Sequence, residues 1–326
     1  MNANSIGIGL LAGAATTLLC LGVVAGSGLS VVLYFLSAVP LMVATLGWGT
    51  LAGIAGAVGA AVLITAFANI QTAIFIVMTT ILPATAAGYW MNLARPAEEI
   101  GGPPGQLVWY PLSDVIVRLA LITAGAFIVT GVLVGYGPAL IDDLVGEMIV
   151  RLQEANPDFA FSPEGRESFL AFMTGAIPFM QPALWLMVLT GSLYLALAIT
   201  RASGRLGRPR DDWPMALRMP RLGALIMGIC IVITFVPGAV GLAATALVGA
   251  LVSGFTMAGF ALFHARSRGQ GWRPLALIVV YGAVLLTLIA AIPFFFAGLF
   301  ATARHMPVSP GGGNSGPPPP QPPAST

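Results

Sequence analysis

Apolar residues run along this chain in long blocks separated by short polar breaks. A helix that crosses a bilayer needs about 20 consecutive apolar residues. Cutting at the Gly, Ser, Pro and Asn punctuation predicts spans near 5–25, 29–47, 50–69 and 72–92, joined by very short turns. After a polar loop, further spans are predicted at 115–136, 176–200, 222–238, 242–264 and 274–303. The last run accommodates either one tilted helix kinked at Pro293 or a helix followed by a re-entrant piece. The chain therefore reads as all-α: a polytopic transmembrane helical bundle over residues 1–305, with about nine spans and a range of eight to ten.

Two segments depart from that pattern. Between the fifth and sixth spans, Ile141, Leu144, Val145, Met148, Ile149 and Leu152 recur at helical spacing, with Asp142, Asp143, Glu147 and Arg151 between them. This predicts an amphipathic helix, within an extramembrane segment at 138–168, that lies on the membrane surface or caps the bundle. After Asn156-Pro157, Ser162-Pro163-Glu164 carries a capping hydroxyl followed by proline at the first helical position. A second helix is expected to start there and enter the bilayer around Phe169 to Met180. At the other extreme, residues 306–326 form a Gly/Pro-rich stretch expected to be a disordered tail.

Composition strengthens the membrane reading. The chain is 57% hydrophobic and only 8% charged, and its first charged side chain is Arg95. A charge at the bilayer centre costs about 2.5–3.5 kcal/mol on insertion scales, which explains its exclusion from most of the length. All 14 basic residues are arginines, which fits a coding bias, and a net charge of +2 gives no electrostatic support for nucleic-acid binding. Cys20 and Cys230 both lie in apolar runs and read as small hydrophobes.

Arginine asymmetry sets the orientation. Arg201, Arg205, Arg208, Arg210, Arg218 and Arg221 follow the sixth span, Arg266, Arg268 and Arg273 follow the eighth, and Arg95 and Arg118 flank the loop after the fourth. These loops share one face, expected to be cytoplasmic in a bacterial inner membrane. Loop 138–175, with seven acids against Arg151 and Arg166, is expected outside, the N-terminus inside, and the C-terminus outside if the final run crosses once.

Searches for chemistry return little. The chain has no phosphate-binding G-x-x-x-x-G-K-[ST] loop, no His-Glu-x-x-His, no Gly-x-Ser-x-Gly elbow, and only two histidines. Intramembrane proton relays need ionisable groups at depth, and the predicted spans hold almost none. The expectation is a non-enzyme without cofactor or metal.

Candidates for function are therefore interfacial. Trp109-Tyr110-Pro111 ends the polar loop and fits an aromatic-belt anchor or a site. Asp114 and Arg118, four apart at a helix start, suit an ion pair. Asn69 and Gln71 at the turn between the third and fourth spans could line a ligand mouth or simply make the turn. His264 could titrate near neutrality or serve as an interfacial anchor. Gly49, Gly53, Ala57 and Ala61 recur every four residues along the third span, a spacing that lets helices approach closely in lipid, either within the bundle or against another membrane subunit. Gly9–Gly13, Gly22–Gly26 and Ala250, Gly254 and Ala258 repeat the theme.

The Trp109-Tyr110-Pro111 loop, the stretch Gly259-Phe260-Ala261-Leu262-Phe263-His264-Ala265 and the Arg273-Pro274-Leu275 start of the last span resemble the YybS-like family of bacterial membrane proteins, over most of residues 5–305. That resemblance implies a layout similar to the substrate-binding S components of energy-coupling-factor transporters, which dock partners through small-residue faces and borrow an ATPase. Two functions follow as expectations: a substrate-binding or permease-like transporter subunit, or a non-transporting membrane scaffold or assembly factor. The lipid bilayer is the expected partner in either case, and the sequence names no ligand.

Overall fold

A computed structural model describes residues 3–22, 28–156 and 162–302. The expected tail at 306–326, and Gly26, Pro157 and Asp158, lie outside the described residues. The first half comprises α1 (Ala3–Leu21), α2 (Gly28–Phe35), α3 (Val39–Trp48), α4 (Thr50–Phe67), α5 (Ile70–Ile76) and, after a π-helical turn at Val77–Ile81, α6 (Leu82–Met91). A polar hairpin follows, and then α7 (Leu112–Val134), α8 (Pro138–Ala155) and α9 (Pro163–Ala202). The remainder comprises the short α10 (Trp213–Ala216), α11 (Arg221–Ile233), α12 (Ala239–Arg266), α13 (Arg273–Leu286) and α14 (Ile292–Ala301).

Among the described residues, seven helical segments are long and apolar enough to cross a membrane: 3–21, 28–48, 50–67, 70–91, 112–134, 163–202 and 239–266. The protein is thus an all-α membrane-type bundle. The runs expected at 222–238 and 274–303 form shorter helices. The first stops at Ile233 before the Pro237-Gly238 turn, where Gly238 takes φ +83°. The second breaks at Thr287, which turns extended (φ −150°) between α13 and a short 3-10 turn leading to α14. The run is therefore two helical pieces and not one continuous helix.

Two local features depart from the sequence expectation. Residues Ala94–Pro96 (β1) and Leu107–Trp109 (β2) pair antiparallel, with Ala94 opposite Trp109. Prolines at 96, 103 and 104 disfavour a continuous α-helix there, a single 3-10 turn at Ala97–Ile100 follows β1, and Gly101 and Gly105 take the positive φ that turns the hairpin. The two helices expected on either side of residue 176 are one 40-residue helix, α9, capped as expected by the Ser162 hydroxyl accepting from the Gly165 N–H.

Prolines inside helices strip carbonyls of their donors, and in an apolar interior another group must supply them. Pro83 has no N–H for the Thr79 carbonyl four residues earlier. The chain widens there into the π-turn, and the indole N–H of the buried Trp185 donates to Thr79 O at 2.6 Å. Pro178 likewise leaves the Thr174 carbonyl, to which the Tyr136 hydroxyl donates at 3.0 Å. These two bonds tie α9 to α5–α6 and to the end of α7.

Small residues govern the closest joints. A Cβ at Gly9 would strike the Ala52 carbonyl, one at Gly13 the Gly56 carbonyl, and one at Gly56 the Gly9 carbonyl, so α1 and α4 touch backbone to backbone and run parallel. α12 is the central helix: Gly249 meets the Phe179 carbonyl of α9, while Gly259 and Gly298 bring α12 and α14 together at Phe294 and Phe255. The core around α12 contains Leu119 of α7, Leu186 and Leu193 of α9, and Leu251 and Phe255 of α12 itself. Cys20 and Cys230 are buried free thiols.

Candidate functional site

The arginine-bearing loops meet at one end of the bundle. Arg208, in the segment between α9 and α10, is 2% exposed and forms a two-point ion pair with Asp211, Nε to Oδ2 at 2.7 Å and Nη2 to Oδ1 at 3.0 Å. Its Nη1 donates to the Tyr110 carbonyl at 2.8 Å and the Met91 carbonyl at 3.4 Å. One guanidinium therefore joins the ends of α6 and of the hairpin to the 203–220 segment. Arg268, beyond α12, pairs with Asp212 through both carboxylate oxygens at 2.5 and 2.6 Å. Arg205 lies over the Trp48 ring at 4.6 Å, and the Asn92 amide donates to the Thr45 carbonyl at 2.9 Å. A hollow of about 250 Å³ lined by Arg210, Trp213 and the Arg268–Asp212 pair falls below the usual ligand-pocket range of about 300–1,000 Å³.

The candidate residues do not converge on one site. Tyr110 and Trp109 belong to the arginine end, with Trp109 nearly buried and the Tyr110 carbonyl held by Arg208. Arg118 does not close an ion pair with Asp114. Its guanidinium lies over the Tyr110 ring at 5.1 Å and the Trp90 ring at 5.7 Å, so the expected pair is replaced by cation–π contacts. His264 shares a 2.7 Å hydrogen bond with the Tyr281 hydroxyl across α12 and α13, and Phe260 stacks on the same tyrosine ring. Asn69 caps α5 by accepting from the Thr72 N–H at 2.8 Å, while Gln71 is exposed. In the small-residue row, Gly49 lies outside α4 as its N-cap with φ +87°, and Gly53 faces the Thr45 side chain. The face of α4 that meets α1 carries Ala52, Gly56 and Ala60, one register earlier than Gly53, Ala57 and Ala61.

A second space lies at the opposite end, next to α8. A cavity of about 530 Å³ opens between the end of α7 (Phe127 to Val134), α8 (Leu140, Ile141, Leu144), α9 at Ile177, Pro178 and Gln181, and the start of α12 (Ala239 to Ala246). Ile141 and Val145 anchor α8 to the bundle, and Arg166 pairs with Asp142 at 2.6 Å to tie α8 to the start of α9. At the rim, Val132, Val134 and Leu144 are exposed. A turn or two further into the bundle, Ala124, Leu186, Ala250 and Leu251 are fully buried. Of its hydroxyls, Thr130 donates to the Ala126 carbonyl at 2.8 Å and Tyr136 to that of Thr174. Gln181 remains as the side-chain amide in an otherwise apolar wall.

The sequence reading missed both features. Arg208 and Asp211 were visible only as loop charges, although their three-residue spacing allows a local pair. The cavity had a fainter signal: Gln181 stands between Pro178 and Pro182 within a long apolar run. No family model, curated protein or solved structure matches this chain.

Proposed function

We propose that this protein is a substrate-binding or permease-like subunit of the bacterial inner membrane that captures an apolar small molecule in the cavity beside α8. The apolar cavity of about 530 Å³ carries this reading, because its size suits one drug-sized molecule and its walls suit an apolar body. Arginines gathered at the far end support a cytoplasmic location for that end by the positive-inside rule, with the cavity facing outward. The chain has no ATP-binding loop of its own, and any energy for release comes from a partner, as the resemblance to the YybS-like family and the transporter S components implies. Gly9, Gly13 and Gly56 are spent on contacts inside the bundle, so a partner subunit in either reading would dock on another surface.

A thermal-shift screen of the protein in nanodiscs, against vitamins and apolar metabolites, tests the capture reading. A ligand at 100 times its Kd stabilises by about 2.7 kcal/mol. Filling the cavity from two sides with Ala243→Phe and Gly131→Leu should abolish the shift while leaving the unliganded melt intact. If no compound separates the wild type from the filled variant, capture is wrong. Reporter fusions after Arg210 and Arg268 should read cytoplasmic and one at Glu154 should read external.

A further inference from the structure

Resting on that capture reading, we infer that the occupant is a cationic amphiphile: one apolar chain or ring body bearing a single ammonium-type head. The walls set the body. With Thr130 and Tyr136 already donating to backbone carbonyls, the cavity offers no array of free hydrogen-bonding groups for a sugar or a nucleotide, and Gln181 can address one polar atom. A molecule that fills it must be largely apolar, since each polar group buried without a partner costs about 1–3 kcal/mol.

The rim sets the head. No arginine or histidine lines the cavity, so a phosphate, sulfate or carboxylate would find no counter-charge. The nearest base on the neighbouring helix start, Arg166, is held by Asp142. Asp143 and Glu147 are exposed on α8, three residues beyond the lining Leu140 and Leu144, which puts each acid one helical turn from the wall. Arg151 lies four residues beyond Glu147 and offsets part of its charge, yet residues 138–168 still carry seven acids against two arginines. The field at this mouth is negative, which concentrates cations and repels anions. The basic surface of the molecule is at the far end, joined through Arg208 and Arg268 to other groups. A cationic head left at the rim stays hydrated beside the acids while its body enters the apolar cavity, so no charge is buried.

Three probes with the same ten-carbon chain decide the matter: decyltrimethylammonium, decanol and decyl phosphate. Binding is measured to the wild type in nanodiscs of neutral lipid, with the Ala243→Phe/Gly131→Leu protein subtracted to remove partition into the bilayer. The ammonium probe should bind about fivefold tighter than the alcohol at low salt, and the phosphate weaker than either, as expected for two exposed charge contacts. The preference should fall towards unity in Asp143→Asn/Glu147→Gln, whose decanol affinity stays at the wild-type level, and in 0.5 M salt, roughly where screening shrinks to a few ångströms. Equal affinity for the three heads, a preference for phosphate, or an ammonium preference that survives the double variant would each overturn the cationic assignment while leaving capture intact. No probe binding beyond the filled variant would overturn capture itself and this inference with it.

Discussion

The two ends of this bundle solve opposite problems. At the arginine end, polar loops fold back over the helices, and their charges are consumed by partners: Arg208 by Asp211 and two carbonyls, Arg268 by Asp212, Arg118 by two aromatic rings. At the α8 end the helices are themselves apolar, the polar ties include an exposed Arg166–Asp142 pair and the Tyr136–Thr174 hydrogen bond, and the helices part around about 530 Å³. Directional bonds draw loops together until little space is left. Apolar faces in lipid lack that drive, because lipid tails solvate them as well as neighbouring helices do, so a gap costs less. The comparison teaches where a binding function can sit: the rigid end fixes the frame and the loosely tied end holds the void.

Breaking the frame should have the largest effect. Arg208→Met leaves Asp211 buried without its cation and removes a donor from the Tyr110 carbonyl. Losing one partner of a buried pair costs about 3–5 kcal/mol. Unfolding of the purified variant, followed by helical signal in denaturant, should show that loss. The double replacement Arg208→Met/Asp211→Leu should recover most of it, because an apolar pair of similar volume removes the stranded charge. A single variant as stable as the wild type would mean that the two ends are held by equal forces, and the comparison would fall.

Added volume sharpens the contrast. Leucine at Gly259 would collide with the Phe294 backbone in the dense α12–α14 joint, and overpacking of this kind costs about 1–3 kcal/mol. Ala243→Phe adds comparable bulk facing the cavity and should shift stability by only a few tenths of a kcal/mol, about the effect of an ordinary unconstrained substitution. Melting of both variants in the same detergent checks this, and equal losses would show that the cavity end is packed as tightly as the other. Between those two effects lie the two bonds that replace proline's missing donors. Trp185→Phe removes the buried donor of Thr79 O and should cost about 1–2 kcal/mol, while Tyr136→Phe, nearer the surface, should cost about 0.5–1 kcal/mol.

The same asymmetry explains what the sequence could reveal. The positions of the long spans were legible because exclusion of charge from lipid leaves a mark at every residue. Register within a span was not. α4 is small and apolar on nearly every side, so nothing distinguished Gly53, Ala57 and Ala61 from Ala52, Gly56 and Ala60 until α1 was seen lying against the latter. The 94–96 and 107–109 strands are three residues each, too short to show an alternation. Arg208 looked like any other loop arginine because its burial depends on Met91 and Tyr110, more than 90 residues away in sequence. The cavity was least legible of all, since a void is a property of how helices diverge. Asn69 caps α5, and His264 shares its hydrogen bond with the Tyr281 hydroxyl.

The smallest expected effect comes from the exposed pair at the arginine end, and its sign can be worked out. The two hydrogen bonds from Arg268 hold the Asp212 carboxyl below its ordinary value of 3.8, with the Met215 backbone N–H and the Arg210 charge adding to the same direction. A carboxyl whose pKa is depressed on folding contributes stability that is fully present above its unfolded pKa and is lost as pH falls through the folded one. The bond between the 203–220 segment and the end of α12 should therefore be complete at neutral pH and fade only below pH 3.8. Arg268→Gln should lower the melting temperature slightly at pH 7 and low salt, and the difference from wild type should shrink towards zero in 1 M salt and again as acid protonates the Asp212 carboxyl. Both partners are largely solvent-exposed, so the difference at pH 7 stays well below that of Arg208→Met. A deficit that persisted unchanged in acid and in high salt would mean that Arg268 acts through packing of its stem and not through its charge. That outcome would put the strength of the arginine end in buried contacts such as Arg208 alone.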